Sequence, residues 1–96
     1  MPMMDLGDVQ IHYEERGKEH PIALLHCHDM GGSGERFERD DIEWYEQHFH
    51  VVSWDNRGLG RSGPATKYNL PLYAQDGARL LDALGIERAI IMGVSD

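Results

Sequence analysis

Three apolar runs separated by longer polar segments constrain most strongly how this chain of 96 residues can fold. They span residues 22–27, 50–55 and 88–93. Short apolar runs of this kind are typical of strands that are buried on both faces, as in parallel sheets. Because segments of helix length separate them, the sequence predicts parallel strands with helices on the faces of the sheet.

The amino-terminal segment predicts an antiparallel hairpin at one edge of that sheet. Residues 9–14 alternate apolar and polar side chains, which is typical of a strand with one covered face. We expect this strand to pair with residues 4–6 through a turn at Gly7 and Asp8.

Two segments are patterned for helices. The first runs from about Ser33, a suitable cap, to His48. Its predicted apolar stripe comprises Phe37, Asp41, Ile42, Trp44, Tyr45, His48 and Phe49. The second begins after a cap at Asn69 and ends at Gly85. The fold class is therefore α/β, and residues 1–96 belong to one domain.

Composition excludes several classes of function. Nine basic against seventeen acidic residues give a net charge of −8, which argues against binding to nucleic acid or to anionic membranes. The lone cysteine, Cys27, allows no intrachain disulfide. The first residues lack the basic and apolar regions of a signal peptide, and no apolar run approaches the roughly 20 residues that span a bilayer. We therefore expect a cytoplasmic protein.

Chemistry is expected where the buried strands end, because ligands of open parallel sheets bind outside the carboxyl ends of the strands. Three stretches occupy such ends: 28–33, 55–62 and 93–96. The last reads Gly-Val-Ser-Asp, the first part of a nucleophile elbow of the form G-x-S-x-G. Taken alone, this short pattern also suits an ordinary strand end.

Together these stretches are more specific, and the chain resembles the α/β-hydrolase fold family. The motifs HDMGGS, DNRGLGRS, LLDALGIE and IIMGVSD occur in the order and spacing of that family's amino-terminal half. Within the family, the resemblance favours esterases and lactonases such as 3-oxoadipate enol-lactonase-like hydrolases. The resemblance implies a mostly parallel sheet, a small-molecule ester or lactone substrate, and no cofactor.

Site residues follow from the resemblance. It implies that Ser95 is the nucleophile and that the backbone N–H groups of Asp96 and Met30 form the oxyanion hole. His28 would brace the loop that carries Met30, and Asp29 stands where the family usually has glycine. A serine nucleophile, in place of an aspartate, speaks against haloalkane dehalogenase or epoxide hydrolase chemistry.

The resemblance also implies that the catalytic acid and histidine follow the serine in the chain. All six histidines precede Ser95, so none is nominated as the base. We therefore expect the chain to be the amino-terminal part of a hydrolase of roughly 250 residues, cut at the nucleophile elbow and inactive alone. Strand 88–93 would then be an apolar edge, through which copies could associate.

Several alternatives are also compatible with the sequence. The chain could be an inert fragment or a non-enzymatic binding chain, or its scaffold could serve as a receptor or a carbon–carbon hydrolase. Residues 26–29 resemble a metal cluster, but alternate side chains of a strand face opposite ways, so we predict no metal site. Asp55 and Arg57 could contact substrate, although we expect them to hold the turn. We expect Cys27 to be a core residue.

Overall fold

A computed structural model of the protein describes residues 3–27, 34–65 and 70–93. Its strands are β1 (Met3–Asp5), β2 (Gln10–Arg16), β3 (Ala23–Cys27), β4 (His50–Trp54) and β5 (Ala89–Gly93). Its helices are α1 (Glu35–Asp40), α2 (Ile42–Glu46) and α3 (Leu70–Ala83). Within the described ranges these strands form one sheet in the order β1-β2-β4-β3-β5.

The sheet is mixed, as the sequence predicts. β1 and β2 form the antiparallel hairpin, in which Met4 pairs with Ile11 and the turn contains Gly7 with a φ of +97°. β2 also pairs antiparallel with β4, whereas β3 runs parallel to both β4 and β5. The fold class is thus confirmed.

The core lies on both faces of the sheet because successive side chains of a strand point to opposite sides. On one face, Leu24 and Val51 pack with residues of α1 and α2, including Phe37 and Ile42. On the other face, a cluster includes Leu25, Val52, Trp54 and, from α3, Leu80. The molecule therefore has helices on both faces, which agrees with the predicted layers.

The prediction of one continuous first helix is wrong, because the segment forms two short helices. Asp41, with φ −125° and ψ −26°, separates α1 from α2. The break changes which face is buried, so Ile42 is fully buried while Trp44 is 59% exposed. Gly34 occupies the N-cap position of α1 without a side-chain cap, and the predicted cap, Ser33, lies outside the described residues.

The second helix ends where the sequence predicts. Gly85 adopts a φ of +75°, and the N–H of Ile86 donates to the Leu81 carbonyl at 2.9 Å. The predicted cap, Asn69, lies outside the described residues. None of the helices in the described part of the chain has the length and apolar character needed to cross a membrane.

Candidate active site

Two parallel strands end side by side at the carboxyl edge of the sheet. Cys27, the last residue of β3, lies in register with Gly93, the last residue of β5. The glycine-rich stretch follows β3 directly in the sequence, and the Gly-x-Ser stretch begins with the last residue of β5. The two strands that lead to the predicted catalytic groups therefore reach the same edge together.

The predicted site residues lie outside the described residues: His28, Asp29, Met30, Ser95 and Asp96. Their roles stay predictions from the sequence. The structure does describe the residues that border the first stretch on both sides and those that lead into the second.

Asp55 follows β4 and is completely buried. Its Oδ1 accepts hydrogen bonds from the backbone N–H of Gly34 at 2.7 Å and from Nη2 of Arg61 at 2.9 Å. Its Oδ2 accepts from the backbone N–H and from Nε of Arg61, at 2.8 and 2.7 Å. The carboxylate thus joins the turn after β4 to the chain just before α1.

Arg61 pairs with a second carboxylate, that of Glu38 on α1. Its Nη1 and Nη2 donate to the two carboxylate oxygens of Glu38 at 2.7 and 2.9 Å, and the hydroxyl of Ser53 donates to Glu38 Oε2 at 2.8 Å. A guanidinium matches carboxylates in this bidentate geometry, which adds directionality to charge. We call Glu38, Arg61, Asp55 and Gly34 the clamp.

The turn that carries Arg61 has the backbone that its glycines allow. Gly58 and Gly60 have φ values of +71° and +51°, in the left-handed region that side chains disfavour. Ser62 donates its hydroxyl hydrogen to the Asp55 carbonyl at 2.7 Å and accepts from the His12 N–H at 3.0 Å. The sequence predicts that these two glycines permit a tight turn, and their φ values agree with that prediction.

Arg57 extends from the same turn to α3. It donates to both carboxylate oxygens of Asp76, a fully buried residue, and its own side chain is only 6% exposed. The hydrogen bonds of Asp55 within the turn and of Arg57 to Asp76 therefore confirm that both residues hold the turn.

The titration properties of the site follow from these contacts. Burial raises the pKa of Asp55, but hydrogen bonds from the Arg61 side chain and from the N–H groups of Arg61 and Gly34 outweigh it, so the pKa lies below its usual 3.8. The hydrogen bonds that Arg61 donates to Asp55 and then to Glu38 raise the pKa of Arg61. Burial raises the pKa of the Cys27 thiol, which disfavours the thiolate that a catalytic cysteine needs.

Two residues differ from their expected environments. The acidic residues in the range 38–46 predict a solvated helix face that includes Glu38. The side chain of Glu38 is, however, only 11% exposed and pairs with Arg61. The signal for this pairing in the sequence is Arg61, the second arginine of DNRGLGRS, which has no other predicted role. The alternation of residues 9–14 predicts that His12 lies on the uncovered face of β2, but His12 is 1% exposed. Its Nδ1 lies 4.0 Å from Asp55 Oδ2.

In the described ranges, no group of three or more His, Cys, Asp or Glu side chains is arranged to hold a metal ion. The described residues do form a charged network, around the fully buried Asp55, beneath the carboxyl edge of the sheet. Such a network can fix backbone positions there.

Individual known proteins, rather than a family model, show what the chain is related to. No protein-family model matches the chain. The chain is 38% identical to RutD of Azorhizobium caulinodans, a protein assigned as a carbamate hydrolase, over 97% of this chain and 34% of that protein. It is 34% identical to the human serine hydrolase BPHL, over 95% of this chain and 33% of that protein.

A solved structure agrees with these relatives. The enol-lactonase from Burkholderia xenovorans LB400 superposes with a TM-score of 0.86 at 26% identity, over 98% of this chain and 37% of that one. The chain thus spans about a third of the length of the curated relatives it matches. Motif order, sheet topology and relatives agree: the chain belongs to the α/β-hydrolase fold family.

Proposed function

We propose that this chain carries the nucleophile of a serine hydrolase, which cleaves a carboxylic ester or lactone through an acyl-enzyme on Ser95. The observation that carries the proposal is the register of Cys27 with Gly93. It brings together the strands that precede the glycine-rich stretch and the Gly-x-Ser stretch. Hydrolase, serine hydrolase and enol-lactonase names among the similar proteins support it.

In the proposed reaction, Ser95 Oγ attacks the substrate carbonyl carbon while its proton passes to a general base. The backbone N–H groups of Met30 and Asp96 donate to the oxygen that becomes negative. Loss of one such donor costs about 3 kcal/mol of transition-state stabilisation in comparable sites. The base then gives this proton to the alkoxide, which departs as the alcohol of an ester or stays attached to the acyl group of a lactone. Water, deprotonated by the same base, then hydrolyses the acyl-enzyme, and the proton returns to Ser95 Oγ.

Supporting groups are part of the same proposal. His28 would brace the oxyanion loop, and Asp29 would occupy the position that is usually glycine. The acid and histidine of the triad would follow Ser95 in the chain, by the order that the family uses. We also expect the cytoplasm as the compartment, which cell fractionation would check.

A non-enzymatic interaction role is the second candidate. The observation that favours it is the exposure of Ile90 and Ile91, at 48% and 59%, on β5. An apolar strand at the end of a sheet offers unpaired backbone groups and side chains to another chain. In this role, strand 88–93 would pair with a second copy.

Turnover separates the two candidates. The protein encoded by the native gene would be assayed with p-nitrophenyl acetate and with a lactone, alongside the variants Ser95→Ala and Cys27→Ala. We expect Ser95→Ala to abolish hydrolysis and Cys27→Ala to retain it. Hydrolysis that survives Ser95→Ala would contradict the proposed nucleophile, and no hydrolysis by the unaltered protein would favour the interaction role.

A further inference from the structure

The clamp connects a fully buried carboxylate to the residue that follows the glycine-rich stretch. Gly34 comes directly after residues 28–33, and its N–H donates to Asp55 Oδ1 at 2.7 Å. We propose that Asp55 is a positioning residue for the hydrolysis, because it fixes the backbone at Gly34 and so the end of the stretch that carries Met30. The inference rests on the proposed function.

The position of Gly34 leaves little room for adjustment. A Cβ atom placed there would lie 2.3 Å from Ser53 Oγ and 2.7 Å from Glu38 Oε2, closer than atoms pack. Gly34 has no side chain to cap α1, and its own N–H, at the start of the helix, is satisfied by Asp55, 21 residues away in the chain. The close approach of Ser53 and Glu38, together with the hydrogen bond to Asp55, therefore fixes the position of the Gly34 backbone.

The contacts of the clamp form a closed ring. Asp55 accepts hydrogen bonds from Gly34 and Arg61, and Arg61 also donates to Glu38. The ring closes because the N–H of Glu38, one helical turn after Gly34, donates to the Gly34 carbonyl at 2.9 Å. A closed ring of this kind resists rotation of the first turn of α1 as well as translation. Buried networks whose members are all satisfied make a local structure rigid.

Rigidity at this place matters for rate. Oxyanion donors act only when they are already oriented toward the developing charge. A displacement of about 1 Å caused by a change outside the reacting groups can cost about 100-fold in rate. An effect on donor orientation should lower kcat, because the interaction is made in the transition state, and it should leave KM nearly unchanged.

The test is Asp55→Asn, which keeps the shape but loses the charge and one acceptor oxygen. Its matched control is Asp76→Asn, because Asp76 is equally buried and equally paired with an arginine, but has no hydrogen bond to Gly34 among the described contacts. The readouts are kcat and KM per folded molecule and the hydrogen-exchange rate of the Gly34 amide. Both variants would be measured in the protein encoded by the native gene.

We expect Asp55→Asn to lower kcat by about tenfold or more with KM changed less than about threefold, and to accelerate exchange at Gly34. Asp76→Asn should keep kcat per folded molecule. Equal kcat in Asp55→Asn and the unaltered protein, or equal losses in both variants, would overturn the inference. If Asp55→Asn does not fold, Glu38→Gln takes its place and should lower kcat in the same way, while an unchanged kcat would overturn the inference.

The same experiment keeps the two proposals apart. Absence of ester and lactone hydrolysis in the unaltered protein contradicts the proposed function, and with it the catalytic part of the inference. Exchange at Gly34 still reports whether Asp55 fixes that backbone. Normal turnover together with an unaffected Asp55→Asn variant contradicts the positioning role alone.

Discussion

Arg57 donates two hydrogen bonds to Asp76, from Nε to Oδ2 at 2.7 Å and from Nη2 to Oδ1 at 2.8 Å. The pair connects the turn after β4 to α3, on the face of the sheet opposite α1. Asp8 adds a longer contact to Arg57 at 3.3 Å but is itself 56% exposed in its side chain. The turn after β4 is thus tied to both helical layers, by Arg57 on one side and Arg61 on the other.

Asp76→Ala should destabilise the protein by about 3–5 kcal/mol, because it leaves the Arg57 guanidinium buried without its partner. Asp8→Ala should cost clearly less, since water solvates that carboxylate. Urea denaturation of both variants measures the difference in the free energy of unfolding. Equal losses would contradict the assignment of Asp76 as the principal partner of Arg57.

Stability should depend on the ionisation of Asp55. Because the pKa of this carboxyl is lower in the folded state, its contribution is complete above the usual value of 3.8 and is lost as the pH falls through the folded-state pKa. Unfolding measured between about pH 5 and pH 2 should therefore show a smaller decline in Asp55→Asn than in the unaltered protein. Parallel declines would show that Asp55 does not contribute. Asp8 and Asp40, whose pKa values are lowered by hydrogen bonds from Arg79 and Arg39, titrate in both proteins.

Gly34→Ala should destabilise the protein by about 1–3 kcal/mol, because the new methyl group overlaps Ser53 Oγ. Removing that oxygen with Ser53→Ala should relieve part of the clash. The double variant should then lose less stability than the sum of the two single variants, as expected for residues in contact. If thermal or urea unfolding shows that the two losses of stability simply add, the new methyl group does not clash with Ser53 Oγ.

The second candidate role predicts association between copies through β5. If strand 88–93 pairs with a second copy, Ile91→Lys should reduce concentration-dependent assembly, because a lysine on an edge strand opposes pairing. Trp44→Lys is the matched control, since Trp44 is equally exposed at 59% but lies on α2. Sedimentation velocity over a range of concentrations measures the assembly. An unaffected Ile91→Lys variant would contradict pairing through β5.

Local patterns allowed most of the fold to be predicted from the sequence. Alternation and apolar runs indicated the strands, and Gly85 marked the end of α3. Periodicity could not reveal the break at Asp41, since the side chains on both sides of it still follow a helical pattern. The burial of Trp44 was predicted wrongly for the same reason.

The clamp depended on contacts that no local pattern contains. The sequence placed Asp55, Arg57 and the turn glycines correctly, because a strand followed by a glycine-rich turn has local signals. Glu38 and Arg61 are 23 residues apart, and Asp55 and Gly34 are 21 apart. Their pairing follows from the packing of α1 against the end of β4, which only the three-dimensional structure shows.

The most direct test of the central claim is to map the site of fluorophosphonate labelling in the protein encoded by the native gene. Peptide mass spectrometry of the labelled protein should find the phosphonyl group on Ser95, and the Ser95→Ala variant should carry no label. A label on another residue, or ester hydrolysis without any label at Ser95, would contradict the account.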